Sequence, residues 1–457
     1  MPDYTPIVDT NNNNLYQIGI NPSVVVNLRS LAESIPQNGI PPIASSGPRA
    51  EVSPHPHYTE YIDARQYIDV KRAYIDTDSR LLGKYAKSAS HGKTGQSNDE
   101  TARAFKLQNE ARRLARSDRR VRKCLRYMAH TAESVQIRRN GAKVSFHGLQ
   151  TCGSVWDCPV CMRKITERRA IELDIGGGRW IDQGGYVYLV TLTLAHNPSM
   201  TLKQTLEQLQ KAYRVFNSGR AGQELRELGA VRHTVRSIEV TIGDNGWHPH
   251  IHVMIFADPI GNESLRKFET LSAARWVECV RNAGGSALSG VGYKLTAGDT
   301  KISEYVAKYG HQPKDAGWSI GRELSKSVSK RASRDGLTPQ QLLMQSAAGN
   351  KHAGALWREY SDAMHGKRQL VWSPGLRAAV GMDAEESDET IAATIDESES
   401  FVEITRSGWS HLVTMSDDVR PTLLQLAGIG DRSLMLQFCI DCGLRSDEIN
   451  LNPDSPP

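Results

Sequence analysis

The stretch Gly246-Trp247-His248-Pro249-His250-Ile251-His252-Val253-Met254-Ile255-Phe256 alternates imidazoles with other residues and then runs into unbroken hydrocarbon. Residues two apart on a strand share a face, so His248, His250 and His252 point one way. The apolar tail anchors this strand in a core while its leading end reaches outward. A lone histidine on an apolar strand is usually a satisfied core residue, whereas three in alternation read as a metal platform. His250 and His252 leave a coordination position for an acid. Glu239, on the strand expected to pair with them, is the natural third ligand, and Asp244 in the intervening turn is the second choice. Imidazole with carboxylate and open positions suits magnesium or manganese held against phosphate oxygens. His248 either ligates or touches DNA.

Working outward, residues 237–242 read as a strand that Gly243-Asp244-Asn245-Gly246 turns into the histidine strand, making a β-hairpin. Residues 186–194 are β-branched and aromatic, which predicts a central strand that ends at His196-Asn197-Pro198. Helical spacing over 202–216 and around 271–281, with a short strand near 291–295, completes an α+β module with antiparallel pairing. Pro249 cannot donate to a ladder, so it must sit near a strand start or on an edge. Downstream, Glu304-Tyr305-Val306-Ala307-Lys308-Tyr309 places two phenols one helical turn apart. By itself this is a common core stripe. Beside a metal that withdraws charge from a phosphate it becomes a source of nucleophile, with Lys308 placed to favour phenolate.

The 457 residues are too many for one small core. The formal charge of +5 hides two opposite ends. Residues 101–126 hold ten Lys or Arg against two acids and read as a helix with a solvated arginine face, whereas 381–400 hold eight acids and no base. No apolar run approaches the ~18 residues of a membrane helix and no secretory signal is present, so a cytoplasmic protein is expected. Seven cysteines in a reducing compartment favour metal ligation. Cys152, Cys158 and Cys161, spaced C-x5-C-x2-C, make a zinc knuckle whose fourth ligand is Cys124 or, as the alternative, His147. Arg163, Lys164, Arg168 and Arg169 follow directly and are expected to contact DNA phosphates. Cys439 and Cys442 are assigned no metal. The expected division is a mostly disordered leader (1–100), a basic zinc module (101–180), an α+β domain carrying the histidine strand (181–315), a helical extension (316–378), and an acidic linker with a small helical appendage (379–457).

The Leu192-Thr193-Leu194 strand, the His250-Ile251-His252 motif and the helix Tyr305-Val306-Ala307-Lys308-Tyr309, in that order, resemble the HUH endonuclease superfamily. With Cys124, Cys152, Cys158, Cys161 and Glu239-Val240-Thr241, they look like its zinc-containing rolling-circle plasmid replication initiators, over about residues 120–377. The resemblance implies a ferredoxin-like antiparallel sheet with flanking helices. It implies metal-dependent nicking of one origin strand, single-stranded or in a hairpin, with Tyr309 attacking phosphorus to leave a 5′ phosphotyrosine and a free 3′ hydroxyl. In single-tyrosine relatives a glutamate precedes the nucleophile by one turn. Here that position is Tyr305, with Glu304 displaced by one, so Tyr305 is expected to act at termination and Glu304 as a fallback acid or base. A host helicase and DNA polymerase are the implied partners, and a homodimer is left open. The competing readings are a non-catalytic zinc-stabilised DNA-binding regulator and another HUH enzyme, a relaxase or transposase.

Overall fold

Among the residues described by the computed structural model of the chain, 96–141, 143–296, 336–394 and 398–451, ten strands form two antiparallel sheets. The first segments supply helix α1 (Gln96–Leu114), the hairpin β1 (Ser134–Asn140) and β2 (Lys143–His147), and helix α2 (Pro159–Asp182). Next come β3 (Tyr186–Leu192), α3 (Leu202–Asn217), α4 (Gly219–Leu228), β4 (Val231–Gly243), β5 (Gly246–Ala257), α5 (Asn262–Asn282) and β6 (Tyr293–Thr296). Then follow β7 (Gly336–Leu337), α6 (Pro339–Ala347), α7 (Lys351–Met364), β8 (Leu370–Trp372), α8 (Leu376–Ala379) and α9 (Asp388–Ala393). The last described stretch gives β9 (Glu399–Thr405), α10 (Arg406–Met415), α11 (Val419–Ile429), α12 (Arg432–Asp441) and β10 (Ile449–Asn450).

The larger sheet runs β6-β3-β5-β4, with β7 and β8 both on the far side of β4. The long β4–β5 hairpin is its spine. Gly246 closes the turn at φ +81°, a left-handed conformation that glycine adopts without Cβ strain. On one face Ile238, Val240, Ile251 and Val253 pack with Leu206 and Leu209 of α3 and with Trp276 and Val280 of α5. Trp276 is wholly buried and its indole N–H donates to the Thr193 carbonyl at 2.8 Å, tying α5 to the end of β3. On the other face Val187, Leu189, Val235, Met254 and Phe256 pack with Leu173 of α2 and with Leu376 and Val380. Helix α2 lies close there because a Cβ at Gly177 would come 2.8 Å from Met254 Cε. By alternation, His248, His250 and His252 share this second face.

Pro249 satisfies its constraint in a way the edge rule only partly anticipates. Strand β5 is central, but β3 pairs with it only from Ile251 onward, so at Pro249 the side towards β3 has no ladder to complete.

The smaller sheet runs β10-β9-β1-β2. Strand β9 lies antiparallel to β1, with Ser134 opposite Thr405 and Ile137 opposite Val402. Val135, Ile137, Val402, Ile404, Leu412, Leu423 and Phe438 are all fully buried or nearly so, so the C-terminal residues and the cysteine segment share one core. At about 1.5–3 kcal/mol per buried large aliphatic side chain, this pairing is a substantial part of the module's stability. The expected helix over 101–126 is corrected: α1 ends at Leu114, and Arg120–Arg122 is a short 3-10 turn. Its arginine face is also less solvated than expected. Arg112 and Arg126 both reach Asp417, Arg119 reaches Asp362, and Arg122 donates to the Arg112 and Ala115 carbonyls.

Candidate metal centres and nucleic-acid interface

Register brings the first group together. Glu239 of β4 faces His250 of β5, and His252 lies between Thr191 of β3 and Ser237 of β4. One carboxylate oxygen, Glu239 Oε2, stands 3.0 Å from His250 Nε2 and 3.0 Å from His252 Nε2. The three side chains are 7%, 13% and 6% exposed in that order. Burial alone would raise the Glu239 carboxyl, but hydrogen bonds from His250 and His252 outweigh it and hold the group well below the usual carboxylate range. His252 Nδ1 is 3.1 Å from Thr191 Oγ1; if an ion displaced the proton between Nε2 and Glu239, the hydroxyl could accept from Nδ1–H and leave the Nε2 lone pair to ligate. His250 Nδ1 and Ser237 Oγ are buried with no hydrogen-bond partner among the described residues. Two imidazole nitrogens and a carboxylate oxygen within 4.8 Å of one another form a donor set that fits a divalent first-row ion or magnesium.

His248 stands apart from that set and is joined instead to His196, which in the sequence marks only the end of a strand. His196 Nδ1 donates to the Asn245 carbonyl at 2.7 Å, which leaves its Nε2 to accept from His248 Nδ1–H at 2.7 Å. Burial pulls His248 down to about 4, and the neighbouring His250 and His196 add to the effect. The folded protein therefore favours the neutral ring. Its stability contribution is complete above the ordinary value of 6.5 and is lost as pH falls from there through about 4, because the unfolded chain takes up the proton first. The upper bound is about 3 kcal/mol. Urea unfolding of metal-free protein near pH 6.5 and again near pH 4 should show wild type losing more stability than His248→Gln; equal losses contradict this account.

The second group joins three parts of the chain. Cys124 lies after the 3-10 turn, Cys152 lies in the loop before α2, and Cys158 caps α2, with its sulfur accepting from the Cys161 N–H and Pro159 at the first helical position. Sulfur separations are 3.7 Å for Cys124–Cys158, 3.5 Å for Cys124–Cys161 and 3.7 Å for Cys152–Cys161. A tetrahedron of ~2.3 Å Zn–S bonds has edges of ~3.8 Å, so the four thiols fit a zinc ion. Cys124 is the fourth thiol of this cluster. Gln108 Nε2 donates to Cys158 Sγ at 3.1 Å and the Ser154 N–H to Cys152 Sγ at 3.4 Å. Burial opposes ionisation of Cys158, yet hydrogen bonds from Cys124, Cys152 and Cys161 hold its thiol well below the ordinary value. All seven cysteines are free thiols.

The basic residues after the knuckle need a correction. Arg169 is 4% exposed and committed to Glu172 at 2.9 Å, Asp388 at 3.0 Å and Glu385 at 3.4 Å, so it is an interior ion-pair residue rather than a DNA contact. Lys164 donates to the Thr394 carbonyl and Arg163 to Thr101 Oγ1 at 3.0 Å. Arg168 stays half-exposed, 3.6 Å from Glu172 and 3.6 Å from Glu386. The cause is the acidic stretch, which folds back on α2 and meets its arginines. Glu304, Tyr305, Lys308 and Tyr309 lie outside the described residues. Among the described residues no helix is long and apolar enough to cross a membrane.

The family model described as Replication protein matches residues 143–413. The chain is similar to the "Protein rep" of Streptomyces lividans, 29% identical over 342 residues that cover 58% of this chain and 73% of that protein. It is also similar to a "Neomycin resistance protein" of Streptomyces cyanogenus, 33% identical over 140 residues, which are 25% of this chain and 32% of that one. No solved structure matches. The family match spans more than half of the chain and holds Glu239, His250, His252 and three of the four clustered cysteines. This chain belongs to the replication protein family, in agreement with its resemblance to plasmid replication initiators.

Proposed function

We propose that the chain initiates rolling-circle plasmid replication by cutting one origin strand, keeping its 5′ end on a tyrosine, and rejoining it at termination. The observation that carries this reading is the meeting of Glu239, His250 and His252 at the outward end of two paired strands, in a member of the replication protein family. These three residues would hold a magnesium or manganese ion, which would supply charge withdrawal from the scissile phosphate. Glu239 and the imidazoles fix that position, and Thr191 keeps His252 in the ligating tautomer. Tyr309 is the nucleophile. Its phenol oxygen bonds to phosphorus as the bond from phosphorus to the 3′ oxygen breaks, and the phenolic proton ends on the leaving 3′ hydroxyl. Lys308 favours the phenolate, Tyr305 takes the strand at termination, and Glu304 is the reserve acid or base.

In this reading β3 to β6 of the larger sheet are the ferredoxin-like HUH core of a nicking domain over 181–315. The four thiols hold a structural zinc in the module over 101–180, to which 399–450 add two strands. Residues 1–100 are a leader, and 316–378 an extension that adds two helices and the short strands β7 and β8 beside β4. The cleaved strand lies along the histidine face, with His248 and the half-exposed Arg168 as contacts. The free 3′ hydroxyl is a primer for a host polymerase, and a host helicase opens the duplex in the cytoplasm. Phenylalanine substitution at each tyrosine tests the assignment. Tyr309→Phe should lose the covalent protein–DNA adduct on a single-stranded origin oligonucleotide, whereas Tyr305→Phe should keep it; a full-rate adduct with Tyr309→Phe contradicts the nucleophile's assignment to Tyr309.

A further inference from the structure

A buried guanidinium lies next to the cysteine cluster and comes from the far end of the chain. Arg420 of α11 is 1% exposed. It donates to Gln108 Oε1 at 2.8 Å, to the Leu125 carbonyl at 3.0 Å, to the Cys124 carbonyl at 3.5 Å and to Asn109 Oδ1. Every one of these acceptors is neutral, and its Nε has no hydrogen-bond partner among the described residues. Gln108 in turn donates to Cys158 Sγ at 3.1 Å, so two hydrogen bonds link the guanidinium to a cluster sulfur, and a third runs to the backbone of another cluster cysteine.

An interior cation normally has a counter-ion, because desolvation otherwise costs several kcal/mol. The nearby carboxylate does not suffice. Asp417 already takes Arg112 at 2.8 Å and Arg126 at 2.5 Å, so one acid balances one of three guanidinium groups gathered there. Four thiolates around a dication carry two negative charges, which is the missing quantity.

We infer that Arg420 is a positioning residue for the cysteine centre, supplying across Gln108 and the Cys124 backbone the positive charge that lets four buried thiolates hold zinc. The inference rests on the reading that those thiols hold zinc. Metal loading and docking of α11 are then coupled: the loaded centre draws the C-terminal helices onto α1, and α11 in place strengthens the centre.

The test uses the full chain and reads zinc affinity by competition with a chromogenic chelator, together with thermal melting of zinc-loaded and zinc-free protein. Arg420→Met keeps the length and removes the charge. It should weaken zinc binding about 10- to 100-fold, lower the melting temperature of the loaded protein, and leave the zinc-free protein as stable as wild type or more so. Arg420→Lys should recover most of the affinity. Asp417→Asn, at a half-exposed site, should bind zinc more tightly, since it raises the local positive charge. Unchanged affinity in Arg420→Met, with equal melting losses in both forms, assigns Arg420 to packing alone and overturns the inference. If Arg420→Met fails to fold, weaker zinc binding by Asp417→Asn overturns it. A wild-type protein that takes up no zinc sinks the parent reading instead, so the two failures are distinct.

Discussion

Replacing His250 and His252 together by alanine should cut origin-strand cleavage by about 10²–10³-fold or more, the loss that follows removal of one well-placed electrostatic group at a developing charge. That corresponds to about 3–4 kcal/mol of barrier at 1.36 kcal/mol per tenfold. Two physical effects compete in this experiment and have to be separated. Both imidazoles hydrogen-bond one carboxylate oxygen of Glu239, whose side chain is 7% exposed. Stripping them away leaves a buried carboxylate without partners, which destabilises by several kcal/mol unless it takes up a proton. Melting must therefore be recorded beside cleavage. Glu239→Gln is the companion variant, because it keeps the shape and removes the charge that would otherwise be stranded. Loss of cleavage and of manganese binding in both variants, with the fold retained in Glu239→Gln, is the expected pattern. Full cleavage in either, at any manganese concentration, contradicts the assignment.

Cys161→Ser should have the largest effect on stability. A structural zinc site in a small finger peptide contributes an apparent ~10–16 kcal/mol at neutral pH, but there the metal replaces a core. Here the cysteines sit beside a real one, with Val121, Ile165, Val135 and Leu424 buried in the same cluster, so only part of that figure is expected. What the centre adds is closure. It ties the turn after α1, the loop at Cys152 and the first turn of α2 at a single point. A loss of about 3–5 kcal/mol, or about 10 °C in melting temperature, is the expected scale. Chelation of wild-type protein should reproduce it and zinc should reverse it. Scanning calorimetry with metal content measured on the same samples checks both arms; an unchanged transition after the metal is removed contradicts a structural role.

The hairpin that carries the histidines is legible because three local signals agree: period-two alternation, an Asp244-Asn245 turn bounded by glycines, and an apolar run behind it. Strand β3 reads equally well from its β-branched and aromatic residues. The C-terminal quarter does not. Glu399–Thr405 has a strand's composition, but its partner lies some 260 residues earlier, and no periodicity announces a pairing at that distance. The acidic run at 381–400 reads as a linker when only its charge is seen. In the folded chain Glu389 meets Arg120 at 2.6 Å and Asp388 meets Arg169 at 3.0 Å, so charges that look solvated in sequence are partners. The same blindness to distant partners makes the helix at 101–126 look longer than it is and makes Arg169 look like a DNA contact. At the candidate sites, spacing pointed to Cys124, Cys152, Cys158, Cys161 and to Glu239, His250 and His252, and the fold brings each group together, since side chains facing one way on paired strands converge by geometry. It missed the residues that contact them: Thr191, Gln108 and Arg420 are common residue types whose neighbours are brought from elsewhere. His196, next to Asn197-Pro198, carried a weak signal as an imidazole at the mouth of a strand.

The most direct test of the central claim is to incubate the wild-type protein with an end-labelled single-stranded origin oligonucleotide, with manganese and with chelator, and separate the products under denaturing conditions. The account predicts a slow-migrating protein–DNA species that needs the ion, carries the label only when it lies 3′ of the cut, and appears together with a free 3′-hydroxyl fragment. Binding in native gels with no ion-dependent covalent species contradicts it.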